Sequence, residues 1–229
     1  MERRLVATRC DENNKAMSDM THPILKQYAE KCGADCLVIS DCKDLHMHYR
    51  ILQFYDLFEK YDKILSVDSD VIITKKCPNI FEVVPGGMIA SIYEDVGSRR
   101  NDRRSRIKAV QKKFGNVGWE SGYINTGFAL FPSCYKDIFK IESEDDLWMG
   151  LGFDDVFLGY RIKKFGYRFY ELPIIYNYMS LFQESWSNFK SRGEAFVIHY
   201  AGAGGFIPSR TREEIIKEDI LILKKYDAV

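Results

Sequence analysis

The order of apolar segments predicts an α/β fold with a mostly parallel central sheet flanked by helices. Short apolar runs recur at RLVAT (4–8), CLVIS (36–40) and KILSVDSDVIIT (63–74), with stretches of helical spacing between them. Strand–helix–strand–helix–strand order is the pattern of crossover connections between parallel strands.

RLVAT reads as the first strand. The helix after it is expected over 18–31, with Met20, Ile24, Leu25 and Tyr28 on one side and Gly33 as its stop. CLVIS reads as a second strand of the buried type. Ile51, Leu52, Tyr55, Leu57 and Phe58 predict a helix over 48–61, followed by KILSVDSDVIIT and a strand in GGMIASIYE. Residues 97–113, GSRRNDRRSRIKAVQKK, are the conspicuous charge cluster: either a solvated loop and helix face or a basic lid that meets phosphates or an acceptor. GYINTGFALFP supplies a further strand. LGFDDVFLGYRIKKF reads as an acidic turn and a helix that ends at Gly166, before the short strand YRFYELP. In the tail, Thr211 and Glu214 form a capping-box pattern ahead of an amphipathic, core-packing helix.

The bulk numbers bound the function. With 229 residues, one domain spanning 1–229 is expected. Lys plus Arg equals Asp plus Glu at 33 each, which argues against a nucleic-acid coat. No window reaches the roughly eighteen apolar residues of a membrane span, and the N-terminus lacks a signal-type apolar stretch, so a cytoplasmic protein is expected. Six cysteines without a secretory signal read as reduced thiols. The spacing of Cys32, Cys36, Cys42, His46 and His48 does not match a zinc knuckle.

Asp68 and Asp70 interrupt an apolar run, where an unpaired charge is costly. Both would share one face of an extended strand, and a turn there brings both to one cation. Mg²⁺ or Mn²⁺ commonly uses one or two carboxylates and completes its shell with phosphate oxygens. Asp154 and Asp155 read either as acids at a helix N-terminus or as groups that touch a substrate.

Taken in order, YDKILSVDSDVIIT, the preceding HYRILQFYDLFEK, GYINTGFALF, LGFDDVFLGYRIKKFGYRFYELPIIYN and VIHYAG resemble the segments of GT-A fold, DxD-containing glycosyltransferases. The similarity is greatest to the retaining, glycogenin-like group and runs from about residue 5 to 210. It implies a GT-A (Rossmann-like) fold and transfer of a sugar from a nucleoside-diphosphate sugar, with UDP favoured, to a hydroxyl of a glycan or other acceptor. Asp68, Asp70 and His199 would hold the metal, and the imidazole favours Mn²⁺ over Mg²⁺. Ser69 lies within the same motif. The resemblance also implies that Arg50, Asn125 and Thr126 position the donor sugar. Ala7, Thr8 and Arg9 lie where the family holds the nucleoside, with Thr8, Arg9 and Asp11 as alternatives for the base contact. The backbone at Gly202, within AGAGG, would approach the phosphates.

Two departures stand out. The family's usual Asp-Gln pair is Asp154-Asp155 here, and FDDVFLGYR also resembles the acidic motif of inverting enzymes, where one carboxylate is the general base. Retention is expected from the Asn125 and His199 segments. The family's Lys-Pro-Trp after the histidine is absent, leaving Arg210 or Arg212 to contact the diphosphate. The rival readings are a haloacid-dehalogenase-like phosphohydrolase, whose first motif is also DxD, and a nucleotide-sugar binding module without turnover.

Overall fold

The computed structural model describes residues 2–41, 45–188, 191–202 and 206–229, so Cys42 and residues 203–205 of AGAGG lie outside it. In chain order the first elements are β1 (Arg4–Arg9), α1 (Lys15–Lys31), β2 (Asp35–Ile39), the short α2 (Phe54–Leu57), β3 (Lys63–Asp68) and β4 (Val71–Ile73). Next come α3 (Ile80–Val83), β5 (Ile89–Ser91), α4 (Arg100–Phe114), β6 (Phe128–Pro132) and α5 (Phe153–Phe165). The chain closes with β7 (Phe169–Glu171), β8 (Val197–His199) and α6 (Arg212–Lys225).

Six strands form one sheet in the order β2-β1-β3-β6-β5-β7, in which β6 alone runs opposite to the rest. Both faces are covered, which explains why the strand sequences are continuously apolar rather than alternating. Val6, Leu65 and Leu130 pack towards α1 and α6, while their strand neighbours Leu5, Ile64 and Phe131 pack towards α5 on the other side.

Three expectations are corrected. CLVIS is not buried: β2 is an edge strand, with Leu37 and Val38 exposed by 37% and 45%. The 48–61 segment is a 3-10 helix over Met47–Gln53 followed only by one turn of α2. VIIT does not prolong β3. After a turn at Ser69 and Asp70 the chain enters a separate two-stranded sheet, where β4 pairs antiparallel with β8. The strand expected in GGMIASIYE is present at Ile89–Ser91. The capping box is formed: Glu214 N–H donates to Thr211 Oγ1 (3.2 Å) and Thr211 N–H to Glu214 Oε2 (2.9 Å).

The basic segment folds as α4, whose Ile107 and Val110 are fully buried in a satellite cluster with Trp119, Tyr123, Val156 and Tyr160. No helix among the described residues is long and apolar enough to cross a membrane.

Candidate active site

A cleft of about 550 Å³ opens at the carboxyl ends of β1 and β3, where the antiparallel β6 begins. That end of an open α/β sheet is where ligands bind. Strand register assembles its floor. Arg9 and Asp68 are paired residues at the ends of adjacent parallel strands, and Val71, one residue past Asp70, is paired with His199. The turn between β3 and β4 is fixed by its middle residue, since Ser69 Oγ donates to the Arg9 carbonyl (2.5 Å) and the Ser69 carbonyl accepts from Thr21 Oγ1 (2.7 Å). Asp70 and His199 are thereby brought face to face, with one oxygen or nitrogen of Asp68, Asp70 and His199 within 4.8 Å of each other.

Each carboxylate divides its oxygens between the histidine and an arginine. Asp68 Oδ1 accepts from Arg9 Nη2 (2.5 Å) while Oδ2 lies 3.8 Å from His199 Nε2. Asp70 Oδ2 accepts from Arg212 Nη1 (2.7 Å) while Oδ1 lies 3.3 Å from the same nitrogen. The tautomer of His199 follows from its other side. Asn177 Nδ2 donates to Asn125 Oδ1 (2.9 Å), so Asn177 Oδ1 is the atom that accepts from His199 Nδ1 (2.8 Å). Nδ1 therefore carries a proton, so Nε2, which faces the two aspartates, is the nitrogen that offers its lone pair to a cation once deprotonated, as for a metal-ligating imidazole held by an outer partner.

Burial pushes the Asp70 carboxyl up, but His199 and Arg212 outweigh it and hold it below the usual range; burial lowers His199, and Asp70 reverses that. Gly127 closes the cradle: a Cβ there would come 2.4 Å from His199 Cε1 and 2.8 Å from Asp68 Oδ2. Donor set, tautomer and close backbone all fit a divalent cation.

The second acidic pair sits in the first turn of α5, and neither member caps the helix, whose N-cap is Gly152 at φ 86°. Asp154 accepts from Arg9 Nη1 (2.7 Å) and Thr126 Oγ1 (2.9 Å), and His48 Nδ1 lies 3.4 Å away. Burial raises its pKa, yet Arg9 and His48 hold it at about 2. Among the described residues Asp155 meets only Thr126: Oδ1 accepts from the backbone N–H (2.7 Å) and lies 2.9 Å from Oγ1, whose single proton it shares with Asp154. With no ion pair to it among the described residues, burial and then the charges of Asp154 and Glu94 push it up to about 8.

The sequence reading singled out neither Glu94 nor Asn177. Glu94 is 1% exposed. It accepts from Asn125 Nδ2 (3.2 Å), Arg99 Nη1 (2.5 Å) and Arg103 Nε (3.1 Å), so a chain of hydrogen bonds runs from His199 through Asn177, Asn125 and Glu94 to α4. Burial raises Glu94, and Arg103 and Arg99 more than reverse it. Asn125 lies 31 residues further along the chain, and the network goes on from it to Asn177 and His199, so no local spacing could reveal it.

Of the residues expected here, Arg9, Arg50, Asp68, Ser69, Asp70, Asn125, Thr126, Asp154, Asp155, His199 and Gly202 line the cleft. Arg50 pairs with Asp11 (3.0 Å) at one end. Ala7 and Thr8 do not line it and are fully buried in β1. Arg210 is turned away onto Glu218, whereas Arg212 reaches in.

The family model of glycosyl transferase family 8 matches residues 11–137, more than half of the chain and inclusive of the Asp68–Asp70 turn. The chain belongs to glycosyl transferase family 8. It is a glycosyltransferase with the α/β fold of the GT-A enzymes, which calls for a nucleotide-sugar donor and an acceptor. The phosphohydrolase reading falls with this match.

Similar solved structures share the fold at low identity. The galactosyltransferase LgtC, solved with donor and acceptor sugar analogues, superposes with a TM-score of 0.62 at 14% identity, covering 93% of this chain and 94% of that one. A glycosyltransferase involved in glycosylation of the major capsid of PBCV-1 gives 0.59 at 15% identity, covering 96% and 99%. Mouse xyloside xylosyltransferase 1 gives 0.53 at 12% identity, covering 87% and 97%. Comparison with curated protein sequences returns no match.

Proposed function

We propose that this family-8 chain is a DxD enzyme of the glycogenin-like kind, transferring a sugar from a UDP-sugar to a glycan or other hydroxyl acceptor with retention. The observation that carries the reading is the Asp68–Asp70–His199 cluster at the floor of the cleft, beside the Asp154–Asp155 pair. The three residues would hold Mn²⁺ in preference to Mg²⁺, because a nitrogen ligand favours the later metal. When bound, the ion supplies Lewis-acid stabilisation of the departing diphosphate. Around it, Arg212 leaves Asp70 to meet the diphosphate, taking the place of the family's lysine, and Arg50 neutralises the opposite end. Asn125 and Thr126 orient the donor sugar. Asp154, kept ionised by Arg9, faces developing positive charge on the sugar, and Asp155 exchanges a hydrogen bond with the donor or acceptor hydroxyl.

Turnover of UDP-, GDP-, CDP- and dTDP-sugars to water, with Mn²⁺ or with chelator, tests the donor and metal together. The account expects UDP-sugars alone to be consumed, only with metal, and NMR of the first-formed sugar to show the donor's own anomeric configuration. Consumption with chelator present contradicts the metal assignment, and an inverted product contradicts retention.

A further inference from the structure

Residues 97–113 carry eight lysines and arginines against a single acid, Asp102, in a chain of zero formal net charge. The helix sorts these cations by face. Arg99 and Arg103 turn into the cleft onto Glu94, Arg104 is held by Asp95 (3.0 Å) and Arg106 by Asp102 (2.8 Å). Arg100, Lys108 and Lys112 are exposed and have no carboxylate within ion-pair distance among the described residues. Lys108 lines a groove of about 690 Å³ along the outer face of α4, with Asn101, Arg104, Ser105, Asn116 and Glu120 among its other walls, while Arg100 and Lys112 lie on the same helix outside the lining.

The far wall of the groove is preformed. Gln111 Oε1 accepts from the N–H groups of Val117 (3.1 Å) and Trp119 (3.0 Å), its Nε2 donates to the Trp119 carbonyl (2.8 Å), and Asn116 Oδ1 accepts from Gly118 N–H (2.9 Å). One helix therefore forms a wall of the candidate active site at its first turn and of the groove along its length.

Resting on the transferase reading above, we propose that this groove is a subsite for the body of an anionic acceptor glycan, one bearing phosphate, sulfate or carboxylate groups. Amide and hydroxyl side chains match a polyol, and Lys108 in the groove, with Arg100 and Lys112 exposed on the same helix, matches its charges. The end of such a chain enters the cleft past Arg99 and Arg103. A lipid surface does not fit, because Ile107, Val110 and Phe114 of α4 pack into the satellite cluster and the exposed Ala109 alone makes no apolar stripe to insert.

The test is calorimetric titration of the full chain with dextran sulfate and with unsulfated dextran oligosaccharides of matched length. It is repeated on the triple variant Arg100→Glu, Lys108→Glu, Lys112→Glu. Dextran sulfate is expected to bind in preference to dextran. The variant should weaken it by about tenfold or more, the sum of several exposed charge contacts, with unchanged thermal unfolding. Equal affinity for both dextrans, or full retention of binding by the variant, overturns the proposal. Tighter binding of a duplex RNA of matched charge overturns it in favour of a nucleic-acid surface. Turnover of UDP-sugar to water is read alongside and is expected to be the same in both proteins. Its absence from the unmodified chain refutes the donor reading and with it the acceptor role, whereas loss of dextran discrimination refutes the groove alone.

Discussion

The cleft holds two acidic pairs, one in the β3–β4 turn and one in the first turn of α5, and the two are held in different ways. Asp68 and Asp70 each meet an arginine on one oxygen and the same imidazole on the other. Asp154 has Arg9 and His48, but among the described residues Asp155 next to it has only the N–H of Thr126 and a share of its hydroxyl. The first pair is therefore ready to share a cation, and the second is split into one ionised carboxylate and one inclined to keep its proton. What sets the state of each acid is its partner across the fold, since the spacing along the chain is similar in the two pairs. Arg9 belongs to both, bridging Asp68 to Asp154 from a position that is nine-tenths buried.

The largest effect is expected from breaking the first pair. Asp70→Asn should reduce sugar transfer by more than about a hundredfold, beyond the range seen when only an outer partner of a metal ligand is lost. Its thermal unfolding should stay close to that of the parent. Turnover assays and a melting curve on the same sample check both halves.

Removing the bridge reads out as stability. Arg9→Met leaves Asp154 buried without its arginine, and breaking a buried ion pair in this way costs about 3–5 kcal/mol. Denaturant unfolding of metal-free protein measures it, and a loss below 1 kcal/mol would mean that Asp154 finds a substitute cation. A smaller effect should follow from Asn177→Ala. With the partner of His199 Nδ1 gone, Mn²⁺ affinity should weaken by roughly 10–100-fold, as for other outer-shell partners, in a direct metal titration.

The most specific effect separates the members of the second pair by pH. The folded pKa of Asp154 lies near 2, below its unfolded value, so its stabilisation is present above about pH 4 and is lost as pH falls towards 2. Asp155 runs the other way. Its folded pKa near 8 lies above the unfolded value, so the native state binds the extra proton and stability falls as pH rises from about 4 to 8. Asp155→Asn should remove that decline: its advantage over the parent grows between pH 4 and 8 and is level above. Parallel stability curves for the two proteins across that range would show that Asp155 is ionised throughout.

The sequence carried the fold where apolar runs mark strands buried on both faces, as in β1 and β3. It misled at β2, because CLVIS is equally apolar yet ends the sheet. It also could not reveal the sheet change after Asp70, since an apolar VIIT fits a prolonged β3 as well as an antiparallel partner for β8. The residues singled out in and after β3 do meet in one cleft: Asp68, Asp70 and His199 within a few ångströms, with Asn125, Thr126, Asp154 and Asp155 beside them. The bridging position of Arg9 was hidden, because it depends on strand register. Glu94 and Asn177 were hidden for a related reason: their importance lies in contacts between segments far apart in the chain.

Thermal unfolding with UDP at about a hundred times its dissociation constant, with Mn²⁺ and then with chelator, tests most directly the claim that Asp68, Asp70 and His199 hold a cation shared with a diphosphate. The account predicts a stabilisation of about 2.7 kcal/mol that disappears with chelator and is absent from Asp70→Asn. Equal stabilisation by UDP with chelator present, or in Asp70→Asn, would contradict it.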